Sequence, residues 1–131
     1  EKKKIIKNVI NNGFYDNLSP DFKIRYLSPK FYIDLHDFVN KEKIKLDDFS
    51  INFLLDYIFN KMNYLKDNFI NDNIQILIEI FFYKKILLKN NFENDYKSFK
   101  QTMNKINNMN RFNLDKDSSL LEVKNIIINE R

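Results

Sequence analysis

One glycine, Gly13, has to serve all 131 residues. Tight β-hairpin turns hold residues at positive φ, which glycine adopts without steric cost. A chain with a single glycine lacks the turn chemistry that most hairpin architectures use, so its fold is expected to be built from helices. The same scarcity removes whole classes of function. Phosphate loops and dinucleotide fingerprints need several glycines so that backbone N–H groups can approach phosphate. The sharp turn of a nucleophile elbow needs them too.

Alanine, cysteine and tryptophan are absent, and Asn, Lys, Ile, Phe, Leu and Tyr fill the space. Apart from leucine, these residues have codons made almost entirely of A and T. The composition therefore carries the imprint of an AT-rich genome, in which lysine and asparagine are default polar choices. Without cysteine there is no disulfide framework and no thiolate metal site. One histidine, His36, cannot build a two-histidine zinc motif. Hydrophobic residues make up 44% of the chain, with thirteen Phe and seven Tyr, enough to fill the core of one domain. The most apolar stretch, Ile74 to Leu88, is interrupted by Gln75, Glu79, Lys84 and Lys85, so no membrane span is expected. No targeting segment is evident, which leans the expectation toward an intracellular protein. The chain begins at Glu1 rather than Met. The expected organisation is a single helical domain over 1–131, excised from a longer or processed protein.

The apolar spacing reads as helix throughout. Ile5, Ile6, Val9 and Ile10 form a stripe over residues 2–12, which Asn12-Gly13 ends. Ser19-Pro20 and Ser28-Pro29 are echoes of one another. In each, serine suits the cap and proline the first helical position. They predict a short helical turn at 20–27 and a fuller helix at 29–40 with Phe31, Leu35, Phe38 and Val39 inward. Asp47 or Asp48 is expected to cap a third element carrying Phe53, Leu54, Tyr57, Ile58, Met62 and Leu65. The isoleucines at 74, 76, 78 and 80 alternate like a strand. The run is too long for one, and Leu77, Phe81, Lys84 and Leu88 keep helical spacing, so a helix buried on most sides is predicted over 72–89. Tyr96, Phe99, Met103, Ile106 and Met109 mark an inward stripe. Ser119 and Glu122 form a capping box before the last helix. The expected fold is all-α, a compact bundle of five or six helices. The helix pairs at 48–66 with 72–89 and at 95–110 with 119–130 have the offset of two helix-hairpin repeats in the C-terminal two-thirds.

Few residues offer chemistry. His36 has Asp34 and Asp37 nearby in sequence, but the offsets point them differently on a helix. Asp115, Asp117 and Ser119 imitate the start of a calcium loop. Leu120 then stands where glycine is needed and Ile126 where a bidentate glutamate is needed. Asp47 and Asp48 are explained by capping. No catalytic residue, cofactor site or metal site is expected. Ser19 and Ser28 fit proline-directed phosphorylation as well as capping.

The net charge of +4 is modest. Opposite the Tyr96 stripe, Lys97, Lys100, Lys105 and Arg111 offer a basic face among Asn104, Asn107 and Asn108. Phe69, Phe92 and Phe112 are expected in loops. By exclusion of catalysis, the expected function is a protein–protein interaction or scaffolding module of a larger protein or assembly, with a protein partner. The alternative is a helical-repeat RNA-binding segment using the basic face at 97–111. A further alternative, from the twenty aromatic residues, is a bundle that binds lipid or a small ligand.

Overall fold

The computed structural model describes residues 13–47, 49–61, 64–88, 92–112 and 115–129. The protein is all-α. Most of the described residues are helical, against roughly one-third for globular proteins generally, and no strand occurs among them. Six α-helices follow in order among these residues. They are α1 (Phe14–Asn17), α2 (Pro29–Glu42), α3 (Ile51–Asn60), α4 (Asn68–Leu88), α5 (Phe92–Arg111) and α6 (Lys116–Asn129). Short 3-10 turns occupy Pro20–Lys23 and Tyr64–Lys66. The stripe expected over 2–12, together with Asp48 and Met62, lies outside the described residues. Contacts between Cα atoms divide the chain into two compact units, Glu1–Ile80 and Phe81–Arg131, and the boundary falls inside α4.

In the first unit both Ser-Pro pairs act as helix entries. Ser19 Oγ accepts the Asp21 N–H at 3.3 Å, and Ser28 Oγ accepts the Phe31 N–H at 3.2 Å. The first of these opens only a 3-10 turn that ends at Lys23, shorter than the turn expected over 20–27. The second opens α2, which buries Phe31, Leu35, Phe38 and Val39 as the spacing predicts, and Tyr32 besides. The end of α2 shows how the chain manages without glycine. Lys43 takes the left-handed conformation with φ 56°, so that its N–H reaches Asn40 O at 3.3 Å while the Ile44 N–H reaches Val39 O at 3.0 Å. These are the two bonds of a Schellman motif, which glycine usually terminates.

The third element departs from expectation. Its cap is Ser50, whose Oγ accepts the Phe53 N–H at 3.1 Å. Asp47 stands too far upstream to reach the N2 or N3 amide, the position from which a cap works. The helix stops at Asn60, where Lys61 turns extended. Phe53 faces outward, while Ile51, Leu54, Leu55, Ile58 and Phe59 fill the core. That core is aromatic: Phe22 stacks on Phe49 at 5.3 Å, Phe38 on Phe69 at 4.8 Å, and Tyr15 meets Tyr32 edge-on at 5.1 Å. Tyr32 is 1% exposed and donates its hydroxyl proton to Phe22 O at 2.5 Å. Burial pushes its ionisation far above that of an ordinary tyrosine.

Along α4 the strand-like isoleucine alternation gives way to helix. Ile74, Leu77, Ile78, Ile80, Phe81 and Phe82 are all buried, so apolar residues occupy adjacent faces rather than one. In the second unit α5 packs on α6. Phe82 meets Phe99 at 5.8 Å, and Ile106, Met109, Leu120, Val123 and Ile127 are buried. The capping box at Ser119 does not form, because α6 begins at Lys116. Asp115 is the cap: its Oδ1 accepts the Asp117 N–H at 3.3 Å and its Oδ2 the Ser118 hydroxyl at 2.8 Å. Ser119 already lies in the first turn, its N–H bonded to Asp115 O at 3.1 Å. The two expected helix pairs follow one another, with α3 and α4 of 10 and 21 residues and α5 and α6 of 20 and 14, so their lengths do not match.

Candidate functional site

The polar side chains that might do chemistry are mostly occupied with structure. His36 is half-buried, with its ring 4.7 Å from that of Phe14 and its Nε2 3.2 Å from the Asn40 amide. Asp115 is held below the ordinary carboxylate value by the Ser118 hydroxyl and the Asp117 N–H, which take up the oxygens a calcium loop would need. No group of three or more metal-ligating side chains occurs among the described residues. Ser28 is exposed and Ser19 half-buried, and each hydroxyl oxygen already accepts a capping bond.

A cleft of about 400 Å³ beside α2 and the start of α4 carries charges of both signs, with Lys30, Lys41 and Lys66 facing Asp34, Asp37, Asp67 and Asp72. Two of its ion pairs are close, Lys30 to Asp34 and Lys41 to Asp67, both at 2.6 Å. Burial works to raise the Asp67 carboxyl. The Lys41 hydrogen bond and the Ile70 N–H outweigh it and hold the group below its usual value. The Asp34 hydrogen bond raises Lys30. These pairs satisfy one another across the wall and consume charge that a ligand would otherwise meet.

Two outer surfaces of the second unit remain. The first is the solvent side of α5. Lys97, Lys100 and Arg111 are exposed and recur with Asn104, Asn107 and Asn108 at steps of three and four, which places them on one helix face. Lys105 does not join them. It leaves that face and pairs with Glu122 of α6 at 2.8 Å. Asp95 turns the other way: it is 4% exposed, and its carboxylate lies 3.4 Å from Lys85. Tyr96, expected on the inward stripe, is 41% exposed, with the Lys100 Nζ 5.2 Å from its ring centre. Of the three aromatics expected in loops, Phe69 lies within α4 and Phe92 opens α5. Phe112 follows the end of α5, is 59% exposed, and carries the Arg111 guanidinium 5.2 Å from its ring centre.

The second surface is apolar. On α6, Leu120, Val123 and Ile127 point inward, yet Leu121 and Ile128 are 55% and 48% exposed. At the end of α4, Leu87 and Leu88 are exposed as well. Sequence spacing did not mark these four residues as exposed: Leu88 was expected within a helix buried on most sides yet is 72% exposed, and a run such as Leu120-Leu121 supplies two apolar neighbours of which only packing selects one. Among the described residues no helix is long and apolar enough to cross a membrane. Comparison with protein-family models, curated proteins and solved structures finds no match for this chain.

Proposed function

We propose that the protein is a helical interaction module that acts by binding a protein partner, as part of a larger protein or assembly, and not by catalysis. The observation that carries this reading is the pair of exposed apolar residues on the outer side of α6, with Lys124 and Asn125 in the turn between them. Leu121 and Ile128 are seven residues apart, so they stand two turns apart on one face. That spacing is how an apolar helix face meets a groove or another helix. Each side chain is about half exposed, so it forgoes roughly half of the 1.5–3 kcal/mol that full burial of a residue of this size is worth, on the order of 1 kcal/mol. A partner that covers the pair recovers that free energy. The groups with catalytic potential are taken up by caps and ion pairs, which supports a binding role.

The test is affinity capture from the native cell, comparing wild type with a Leu121→Glu, Ile128→Glu double variant. Both positions are exposed, so the variant is expected to keep its circular dichroism spectrum and melting temperature. Under this reading a protein captured stoichiometrically by wild type, little affected by salt, is lost with the variant. Unchanged capture, or loss that follows ribonuclease treatment instead, would sink the reading.

A further inference from the structure

We infer that the outer face of α5 binds a single-stranded nucleic acid, a function separate from that of the exposed apolar pair on α6. The face combines three features that such a strand requires. The first is charge. Lys97 and Lys100 lie one turn apart, and Arg111 stands about 21 Å from Lys97 at 1.5 Å per residue along the axis. Folding concentrates this charge. Asp95 is drawn inward to Lys85, so after Glu93 no carboxylate of α5 faces the solvent. Phosphates meeting these cations release counterions, which drives association.

The second feature is the set of amides between the cations. Gln101, Asn104, Asn107 and Asn108 are all exposed. Each amide carries both donors and an acceptor, which suits the exposed edges of unpaired bases. The third is a ring at each end. Tyr96 is 41% and Phe112 59% exposed, and Lys100 and Arg111 lie over them at 5.2 Å. A cation above a ring reinforces stacking of a base on it. A duplex hides the faces of its bases and leaves such rings nothing to stack on, so the face suits a single strand. RNA and DNA share this chemistry, and the 2′-hydroxyl distinguishes them.

The 131-residue chain is titrated by fluorescence anisotropy against labelled oligo-U and oligo-dT of about twelve nucleotides, a length within single-strand site sizes. The expected result is binding tighter than the roughly 10⁻⁴–10⁻⁶ M of non-specific attraction at physiological salt. Preference for oligo-U assigns the face to RNA, and equal binding assigns it to either strand. Lys97→Gln, Lys100→Gln and Arg111→Gln together should flatten the salt slope by about 2, at roughly 0.7 for each phosphate that is no longer neutralised. Phe112→Ala, at a ring beyond the helix end, should weaken binding by about tenfold and leave the slope unchanged. Tyr96→Leu should do the same with an unaltered circular dichroism spectrum. The inference is overturned by binding no tighter than the non-specific range, by equal affinity for a duplex or for anionic phosphatidylserine vesicles, or by full affinity in Phe112→Ala and Tyr96→Leu.

Discussion

The carboxylate of Asp21 accepts the backbone N–H of Ile51 at 2.9 Å, across thirty residues of sequence. Ile51 is the first residue of α3, and its N–H is one of the donors that a helix start leaves without an intrahelical partner. Ser50 satisfies the Phe53 N–H from within the local sequence, and Asp21 satisfies Ile51 from the preceding 3-10 turn. Both Asp21 and Ile51 are buried, so water does not replace the bond.

Asp21→Ala should therefore destabilise the protein by about 1.5–3 kcal/mol, the range for hydrogen bonds to a charged group. Asp21→Asn keeps an acceptor and should cost less. Urea melts of the two variants beside wild type check this. Equal losses would mean that the charge or the packing, and not the accepted bond, stabilises this junction.

Lys43 adopts φ 56° to finish α2. A side chain in that region crowds the following carbonyl, a cost of roughly 1–2 kcal/mol that glycine avoids. Lys43→Gly is expected to raise stability by about 0.5–1 kcal/mol, reduced from the full strain because glycine also gains freedom when unfolded. Thermal melts should show a higher midpoint. A lower one would show that the lysine side chain contributes more than its backbone strain costs.

Asp67 receives the Lys41 ammonium at 2.6 Å and the Ile70 N–H at 3.3 Å, capping α4. Its folded pKa lies below the unfolded value of 3.8. The sign follows: the folded state binds this proton less readily than the unfolded state. The stability it contributes is present above the unfolded pKa and is lost as pH falls through the lowered folded one. Asp67→Asn should cost about 1 kcal/mol or less at neutral pH, since Lys41 is largely exposed. The gap between variant and wild type should close as the solution is acidified below pH 3.8. A gap that persists in acid would assign the effect to packing.

Asp115 caps α6 through the Asp117 N–H and the Ser118 hydroxyl. Asp115→Ala should lower the melting temperature, whereas Ser119→Ala should leave it unchanged. The reverse would restore the capping box read from the spacing. The cap engages both Asp115 oxygens, so neither calcium nor a chelator is expected to shift the melt of wild type. A drop with EDTA would reveal carboxylate coordination in this loop.

Local chemistry is what made much of this fold legible. Ser28 caps α2 because the hydroxyl, the proline and the amide it reaches lie within four residues. Phe31, Leu35, Phe38 and Val39 turn inward because helical spacing puts them on one face, and hydrophobic burial takes that face out of water. The lack of glycine and the length of the isoleucine run decided helix over strand in α4. The sequence also brought Lys97, Lys100 and Arg111 to one side of α5. What it left open were choices among equivalent neighbours. The spacing pointed to Asp47 or Asp48 for the start of α3, whereas Ser50 caps it and the packed chain places a distant Asp21 at 2.9 Å from Ile51. Lys105 reads like the other cations of α5 until α6 sets Glu122 beside it. Tyr96 and Phe99 carry the same apolar signal, and tertiary packing leaves Tyr96 the more exposed to solvent. Caps and periodicity act over a few residues, so the sequence by itself determines them. Which face is covered and which charge finds a partner depend on groups brought together from distant parts of the chain, and those only the tertiary structure decided.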